Sequence, residues 1–248
     1  VLAEAIDSVD SQPKTLAVFN YGGPEELRRR LESYFELHNV AVEYGRTDPD
    51  DPDNYVLLYD DSGVVAAASV GDLEGELLVG SEYDAEETAV ALTDRAYPRV
   101  LRWLDDTLFV VGEQQRRILV EVSRYVETLA ARGGGGTIRS GFQNLSRLTD
   151  DEATVSTYRR IVDAGVETHV YGIPDETARL DELDEFLTIH PGDTGELART
   201  WFVVYDGGDD GETAALVAEE RGEGYHGFWT FDAEAVRTLD QYLADNYL

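Results

Sequence analysis

YVLLYD at Tyr55–Asp60 returns as WFVVYD at Trp201–Asp206, an offset of 146 residues. Tyr83-Asp84-Ala85-Glu86 returns as Phe231-Asp232-Ala233-Glu234, an offset of 148. An echo at this distance points to the same kind of small unit built twice. The element order agrees in both halves: helix, strand, hairpin, strand, capped helix. This predicts an α+β (mixed α/β) fold made of two similar α/β halves with mostly antiparallel sheets, related by internal duplication. The division falls at 1–112 and 113–248. The rival reading is that two ordinary hairpins look alike, since tyrosine, valine and aspartate are common there.

In the first half, Thr15–Asn20 reads as a strand. Pro24 suits the first turn of a helix, whose stripe is Leu27, Leu31, Tyr34, Phe35 and His38, with His38 half-buried. Val40–Gly45 is a strand. Thr47–Asn54 is an acidic turn, solvated rather than calcium-binding, because its prolines and missing glutamate break the calcium-loop pattern. Tyr55–Asp60 and Val64–Val70 form a hairpin. Asp84 caps a helix, with Glu87 completing a capping box. That helix runs through Ala89, Leu92, Ala96, Val100, Leu101 and Leu104, is kinked at Pro98, and carries Trp103 as a packing residue.

The second half is organised around Ile118–Leu148. Ile118, Leu119, Val122, Val126 and Leu129 recur at helical spacing, although the β-branched run Ile118–Val122 leaves a strand reading open. Arg132 and Gly133–Gly136 stop the helix. The glycines read as a flexible joint, because no lysine follows to make a phosphate loop. GFQNLSRL at 141–148, read as helical, sets Gln143 and Arg147 on one face. Thr149 and Glu152 form a capping box before Val155, Tyr158, Ile161 and Val162, and Gly165 ends that helix. Val166–Gly172 is a strand, Pro174–Leu187 an acidic helix and Ile189–Glu196 a loop. Thr200–Tyr205, Thr213–Ala218 and Gly224–Thr230 are strands, and Asp232 caps the last helix. The aromatic run at 225–230 has no counterpart at Leu77–Glu82, so a ligand site is expected in the second copy.

Charge and composition remove several functions. The 248 residues carry 51 acidic and 20 basic side chains, a net charge of -31, and every base except Lys14 is arginine. Acids spread along the whole chain read as a solvated surface adapted to molar salt; an acidic face for a basic partner is the other reading. No basic patch suits nucleic acid. Cysteine is absent, which excludes disulfides, thiolate nucleophiles and cysteine metal sites. No apolar run reaches the ~20 residues of a membrane span, and no charged-then-apolar leader is read, so a cytoplasmic place is expected. His38, His169, His190 and His226 show no metalloprotease spacing. There is no GxSxG elbow. Glu219 and Glu220, the acidic pair a hydrolase would need, face opposite sides of a strand.

SRYVE at 123–127, GFQNLSRL at 141–148, VETHVYGIPD at 166–175, TWFVVYD at 200–206, ALVAEE at 215–220 and GFWTFDAEAV at 227–236 occur in order. Together, over about Ile118–Leu248, they resemble the DICT domain, a sensory module found with diguanylate cyclases and two-component systems. The resemblance implies an α+β domain, intracellular sensing and a link to light responses, and it carries no catalytic residues over to this chain. It names no cofactor. With no cyclase or kinase segment alongside, output passes to a separate partner such as a histidine kinase or a transcriptional regulator. The expected ligand contacts are Phe142, Gln143, Arg147, Tyr171, Trp201, Glu219 and Trp229, a mix of aromatic, amide and charged groups suited to a small polar or aromatic ligand. Each has a plainer reading: the aromatics as core, Arg147 and Glu219 as an ion pair. A non-enzymatic sensory relay is therefore set against a ligand-free scaffold and, third, a hydrolase.

The charge predicts that folding needs salt. At ~1 M salt the Debye length is ~3 Å, and self-repulsion falls away. The melting temperature should climb steadily from low to molar potassium chloride; a flat profile would remove the salt-adaptation reading.

Overall fold

The computed structural model describes residues 2–8, 13–48, 50–77, 104, 108–112, 117–175, 183–192, 194–209, 211–222 and 224–247. The expected helix from Asp84, with Pro98 and Trp103, lies outside them, apart from Leu104, which is buried. So does the middle of the expected helix Pro174–Leu187.

Two sheets carry the fold. The first orders its strands β2-β1-β3-β4, from β1 (Lys14–Phe19), β2 (Val40–Gly45), β3 (Tyr55–Asp60) and β4 (Gly63–Ser69). The second has seven strands in the order β5-β11-β10-β9-β6-β7-β8. These are β5 (Leu108–Gly112), β6 (Thr137–Asn144), β7 (Glu167–Ile173), β8 (Thr188–Pro191), β9 (Thr200–Asp206), β10 (Thr213–Arg221) and β11 (Gly224–Thr230). The halves do echo each other. β2-β1-β3-β4 and β7-β6-β9-β10 share one pattern: a parallel pair, then antiparallel neighbours.

The sequence match, however, is one residue out of step with this topology. Val56 and Leu58 pack with helix α2 (Glu25–Leu37). Their partners by sequence, Phe202 and Val204, face the other way, toward α1 (Leu2–Ser8) and α8 (Ala233–Tyr247). A one-residue slip turns every side chain to the opposite face.

The halves share one core. Leu16, Val18, Leu31, Phe35, Val56 and Leu58 meet Leu216, Tyr225 and Trp229 of the second sheet, together with Val70 and Leu73 of α3 (Val70–Leu77). Leu119 and Val122 of α4 (Arg117–Gly133) join them, which settles the helix-or-strand question in favour of helix. Further along α4, Val126, Leu129 and Ala130 cover Ile138, Val203 and Tyr205. On the same side lie the short α5 (Ser146–Thr149) and α6 (Glu152–Asp163). The far face of the second sheet is closed by α1, α8 and α7 (Gly195–Arg199).

Several local expectations change, and the expected loop Ile189–Glu196 opens in strand β8 and runs into α7. Residues 137–144 form central strand β6, hydrogen-bonded to β7 and β9, so the helical reading of 141–148 fails over its first four residues. The glycines before it make a left-handed turn: Gly134, Gly135 and Gly136 have φ of 65°, 117° and 78°, and at Gly136 a Cβ would overlap the Asp206 carbonyl. The cap of α6 is Asp151, which accepts from Ala153 N at 3.1 Å. Thr149 ends α5 instead. Asp232 does cap α8, accepting from Ala235 N at 2.8 Å.

His38 is fully buried rather than half-buried, edge-on to Tyr34 and to Trp229 with ring centroids 4.8 Å apart in both cases. Among the described residues neither ring nitrogen has a hydrogen-bond partner. Burial lowers its pKa from 6.5 to about 3. The folded state therefore holds His38 neutral, and stability is complete above pH 6.5 and lost as pH falls toward 3. Between about pH 7 and about pH 5 the parent should lose about 2 kcal/mol more than His38→Leu in denaturant titrations. Equal losses would show that His38 does not carry this linkage.

Candidate functional site

Helix α4 covers the second sheet with one row of side chains and leaves a gap with the next. Val120, Ser123, Arg124 and Glu127 stand beside the apolar row at spacings of three and four, so they share a flank of the helix. That flank looks onto Ser140 and Phe142 of β6 and Trp201 of β9. Together with Arg147, Asp151 and Thr154 these enclose a cavity of about 210 Å³. The strand alternation brings the floor together. Ser140 and Phe142 point to α4, and Trp201 lies opposite Phe142 in the β6–β9 ladder.

The polar wall is a closed network. Arg124 donates through Nη1 to Glu127 Oε2 at 2.8 Å, and through Nη2 to Thr154 Oγ1 at 2.7 Å and Asp151 Oδ2 at 3.3 Å. Thr154 Oγ1 donates in turn to Asp151 at 2.7 Å. The Tyr158 hydroxyl donates to Glu127 Oε1 at 3.2 Å. Glu127 is 3% exposed, and a carboxylate this deep needs a cation. Its charge raises the Arg124 pKa, opposed by burial. Burial first, then Glu127, drives the Tyr158 pKa well above its ordinary value, while Ser140 opposes the rise. Ser140 Oγ is nonetheless buried without a hydrogen bond of standard geometry.

The lip of the cavity is strained. Gln143 has φ of 59°, a left-handed backbone at a non-glycine residue, where the β6–β7 register slips between Gly141 and Asn144. Strain of this kind persists only where the surroundings over-determine it. Here the side chain is held on three sides. Gln143 Oε1 accepts from Arg147 Nη1 and from the Tyr225 hydroxyl, the latter at 3.3 Å. Gln143 Nε2 donates to Glu220 at 3.3 Å. Trp201 is fixed by its own bond, Nε1 donating to Ser123 Oγ at 3.0 Å.

Of the residues expected from sequence, Phe142, Trp201 and Arg147 line this cavity, and Gln143 positions Arg147 at its edge. Trp229 lies in the shared core against His38. Tyr171 and Glu219 sit on the other face of the sheet. Glu219 pairs with Arg221 at 2.6 Å and Arg199 at 4.0 Å, not with Arg147. Tyr171 stacks on His190 and accepts from Arg139 Nη1 at 2.8 Å. Next to it, His169 Nδ1 and His190 Nε2 are 2.9 Å apart. Sequence reasoning missed Ser123, Arg124, Glu127, Ser140, Asp151 and Thr154. Two signals were present: Arg124 and Glu127 at i,i+3 on an amphipathic helix, and Asp151 three residues before Thr154.

Residues 103–221 match the family model of DICT, described as a sensory domain in diguanylate cyclases and two-component systems. Every residue lining the cavity falls inside that span. No curated protein matches the chain. Among solved structures, the crystal structure of polyphosphate kinase from Porphyromonas gingivalis aligns with 98% of this chain at 12% identity and a TM-score of 0.33. The chain spans 47% of that protein, and the likeness carries neither fold nor function across.

The network makes a stability prediction. Arg124→Met strips Glu127 of its cation and should cost about 3–5 kcal/mol in chemical denaturation. Arg124→Met combined with Glu127→Gln should recover most of the loss, because the buried charge is gone. Equal stability of the single and double variants would show that Glu127 does not depend on Arg124.

Proposed function

We propose that this chain, whose residues 103–221 match the DICT sensory domain, is a non-enzymatic sensory module. It binds a small ligand in the cavity beneath α4 and relays its state to a separate output protein, such as a histidine kinase or a transcriptional regulator. The observation that carries the reading is the cavity itself, with aromatic and polar walls held by prearranged bonds. Small-molecule sites combine an apolar lining with a few fixed polar groups, and this one has both.

Relay is supported by where α4 lies. The same helix walls the cavity through Ser123 and Glu127 and enters the core shared by the two halves through Leu119 and Val122. Acid chemistry by the Glu219 and Glu220 pair has less support, since Glu219 is bonded to Arg221 on one face and Glu220 to Gln143 on the other. The net charge of -31 fits work at molar salt in the cytoplasm.

The test is purification at high salt under native conditions, followed by native mass and absorbance spectra. A retained small molecule, absorbing visible light if the signal is light, is the expected result. Amide signals of Ser140, Trp201 and Arg124 should also move when metabolite extract is added to ligand-free protein. A protein that retains nothing and whose cavity signals stay still would leave the scaffold reading in place.

A further inference from the structure

Phe142 and Trp201 lie opposite each other in the β6–β9 ladder, and both line the cavity beneath α4. Cross-strand neighbours of this kind stand about 5 Å apart at Cβ. Their rings nonetheless turn to different partners. Phe142 meets Tyr158 of α6 with ring centroids 5.6 Å apart, and Trp201 meets Tyr225 of β11 at 6.3 Å. α6 packs on the β7 side of β6, while β11 lies beyond β10 on the other side of β9. The two rings therefore diverge across the sheet, and the cavity lies where they part.

The polar groups around that gap are committed to one another. Arg124 is held by Glu127, Asp151 and Thr154. The Trp201 N–H donates to Ser123, so its indole offers the gap only carbon. The Ser140 oxygen is buried and acts on the Tyr158 hydroxyl, whose pKa it lowers. Arg124 and Arg147 line the cavity together with Glu127 and Asp151, so the charges around it cancel. Arg147 stands exposed at the lip, where water and salt screen it. An ion going deeper would shed its own water and would have to break an existing pair to gain a new one.

What remains for a ligand is apolar. Phe142 and Trp201 are half-buried. Val120 of α4 is 40% exposed, and it too lines the cavity. The other exposed large apolar side chains among the described residues, Val64 and Val65, lie on β4. An apolar cavity of about 150 Å³ takes up benzene. At about 210 Å³ this one has room for a fused pair of rings. Aromatic faces and edges also favour one another in offset or edge-on contact, a gain that a flexible alkyl chain does not share.

We infer that the cavity takes an uncharged aromatic molecule the size of a fused ring pair, held by contact with Phe142, Trp201 and Val120. This rests on the ligand-binding reading above and adds the ligand's class.

Calorimetric titration of the full chain at about 2 M potassium chloride, where long-range repulsion is screened, tests it with four probes of nearly equal size. Indole, neutral and aromatic, should bind tightest. Benzoate and benzamidine, aromatic but of opposite charge, should each bind at least ten-fold more weakly. n-Octanol, neutral but flexible, should fall several-fold below indole. Indole should also move the side-chain N–H signal of Trp201 and leave that of Trp229, in the shared core, where it is. Val120 is exposed, so Val120→Trp should fold normally, and the added ring system should fill the cavity and cut indole affinity at least ten-fold. Phe142→Leu should narrow the ratio of indole to octanol affinity, which a loss of stability alone would not change. The inference is overturned if either charged probe or the alcohol matches indole, or if the Trp201 signal stays still. It is also overturned if Val120→Trp leaves indole affinity unchanged or Phe142→Leu leaves the ratio unchanged. Silence of all four probes overturns it too. If extract still moves the cavity signals, the ligand-binding reading survives with a ligand of another class; if it does not, both fall.

Discussion

The fold depends on one helix meeting two demands. α4 must cover the second sheet and also close the core that the two halves share. Its first turns, with Leu119 and Val122, belong to the inter-half core. Its later turns, with Val126, Leu129 and Ala130, belong to the sheet. One straight stripe cannot fill both spaces at full density, and the residue beside the stripe is a serine, not a large apolar side chain. Ser123 therefore leaves room, and the Trp201 indole donates to its hydroxyl at 3.0 Å. The cavity follows from that arrangement.

Keeping such a space polar has a cost that the network offsets. Glu127 would be ruinous alone at its depth. Arg124 holds it, and Asp151, already committed to the cap of α6, takes the second arm of the guanidinium. Buried pairs of this kind are screened little by salt, whereas exposed ones such as Arg28 with Glu32 lose most of their value at molar ionic strength. In so acidic a chain, structure comes from the few arginines placed inside, Arg124 and Arg139 among them. Arg139 lies on a central strand, bonded to Asp240 at 2.7 Å.

Much of the fold was legible in sequence. YVLLYD, WFVVYD and TAALVA are apolar enough to be strands under any reading, and they are β3, β9 and part of β10. α2, α4 and α6 follow from their stripes. β6 was not legible, because TIRSGFQN looks like a polar segment. Its arginine is neutralised by Asp240, 101 residues away, and its Gly141 is required because the Phe202 ring crosses where a Cβ would stand. Both partners are distant in sequence. The candidate site was half legible for the same reason. Phe142, Gln143, Arg147 and Trp201 stood out by residue type. Tyr171 and Glu219 could not be sorted onto the other face until the position of β6 fixed the register, and with it which side α4 covers.

A ligand can shift a protein only through contacts that differ between two states. Here the contacts that could differ are few. Val120, Ser123, Arg124 and Glu127 touch the cavity from α4, and Leu119 and Val122, about one turn before Ser123 or beside it, touch the first half. Trp201 also reaches Tyr225, which bonds to Gln143 at the lip and packs in the shared core. Leu119, Val122 and Tyr225 belong to the same core cluster as Trp229, whose ring lies edge-on to His38 at the end of α2. That contact holds a histidine with no hydrogen bond on either nitrogen among the described residues. Apolar packing and edge-on rings tolerate small shifts better than directed hydrogen bonds do, because dispersion has no angular requirement.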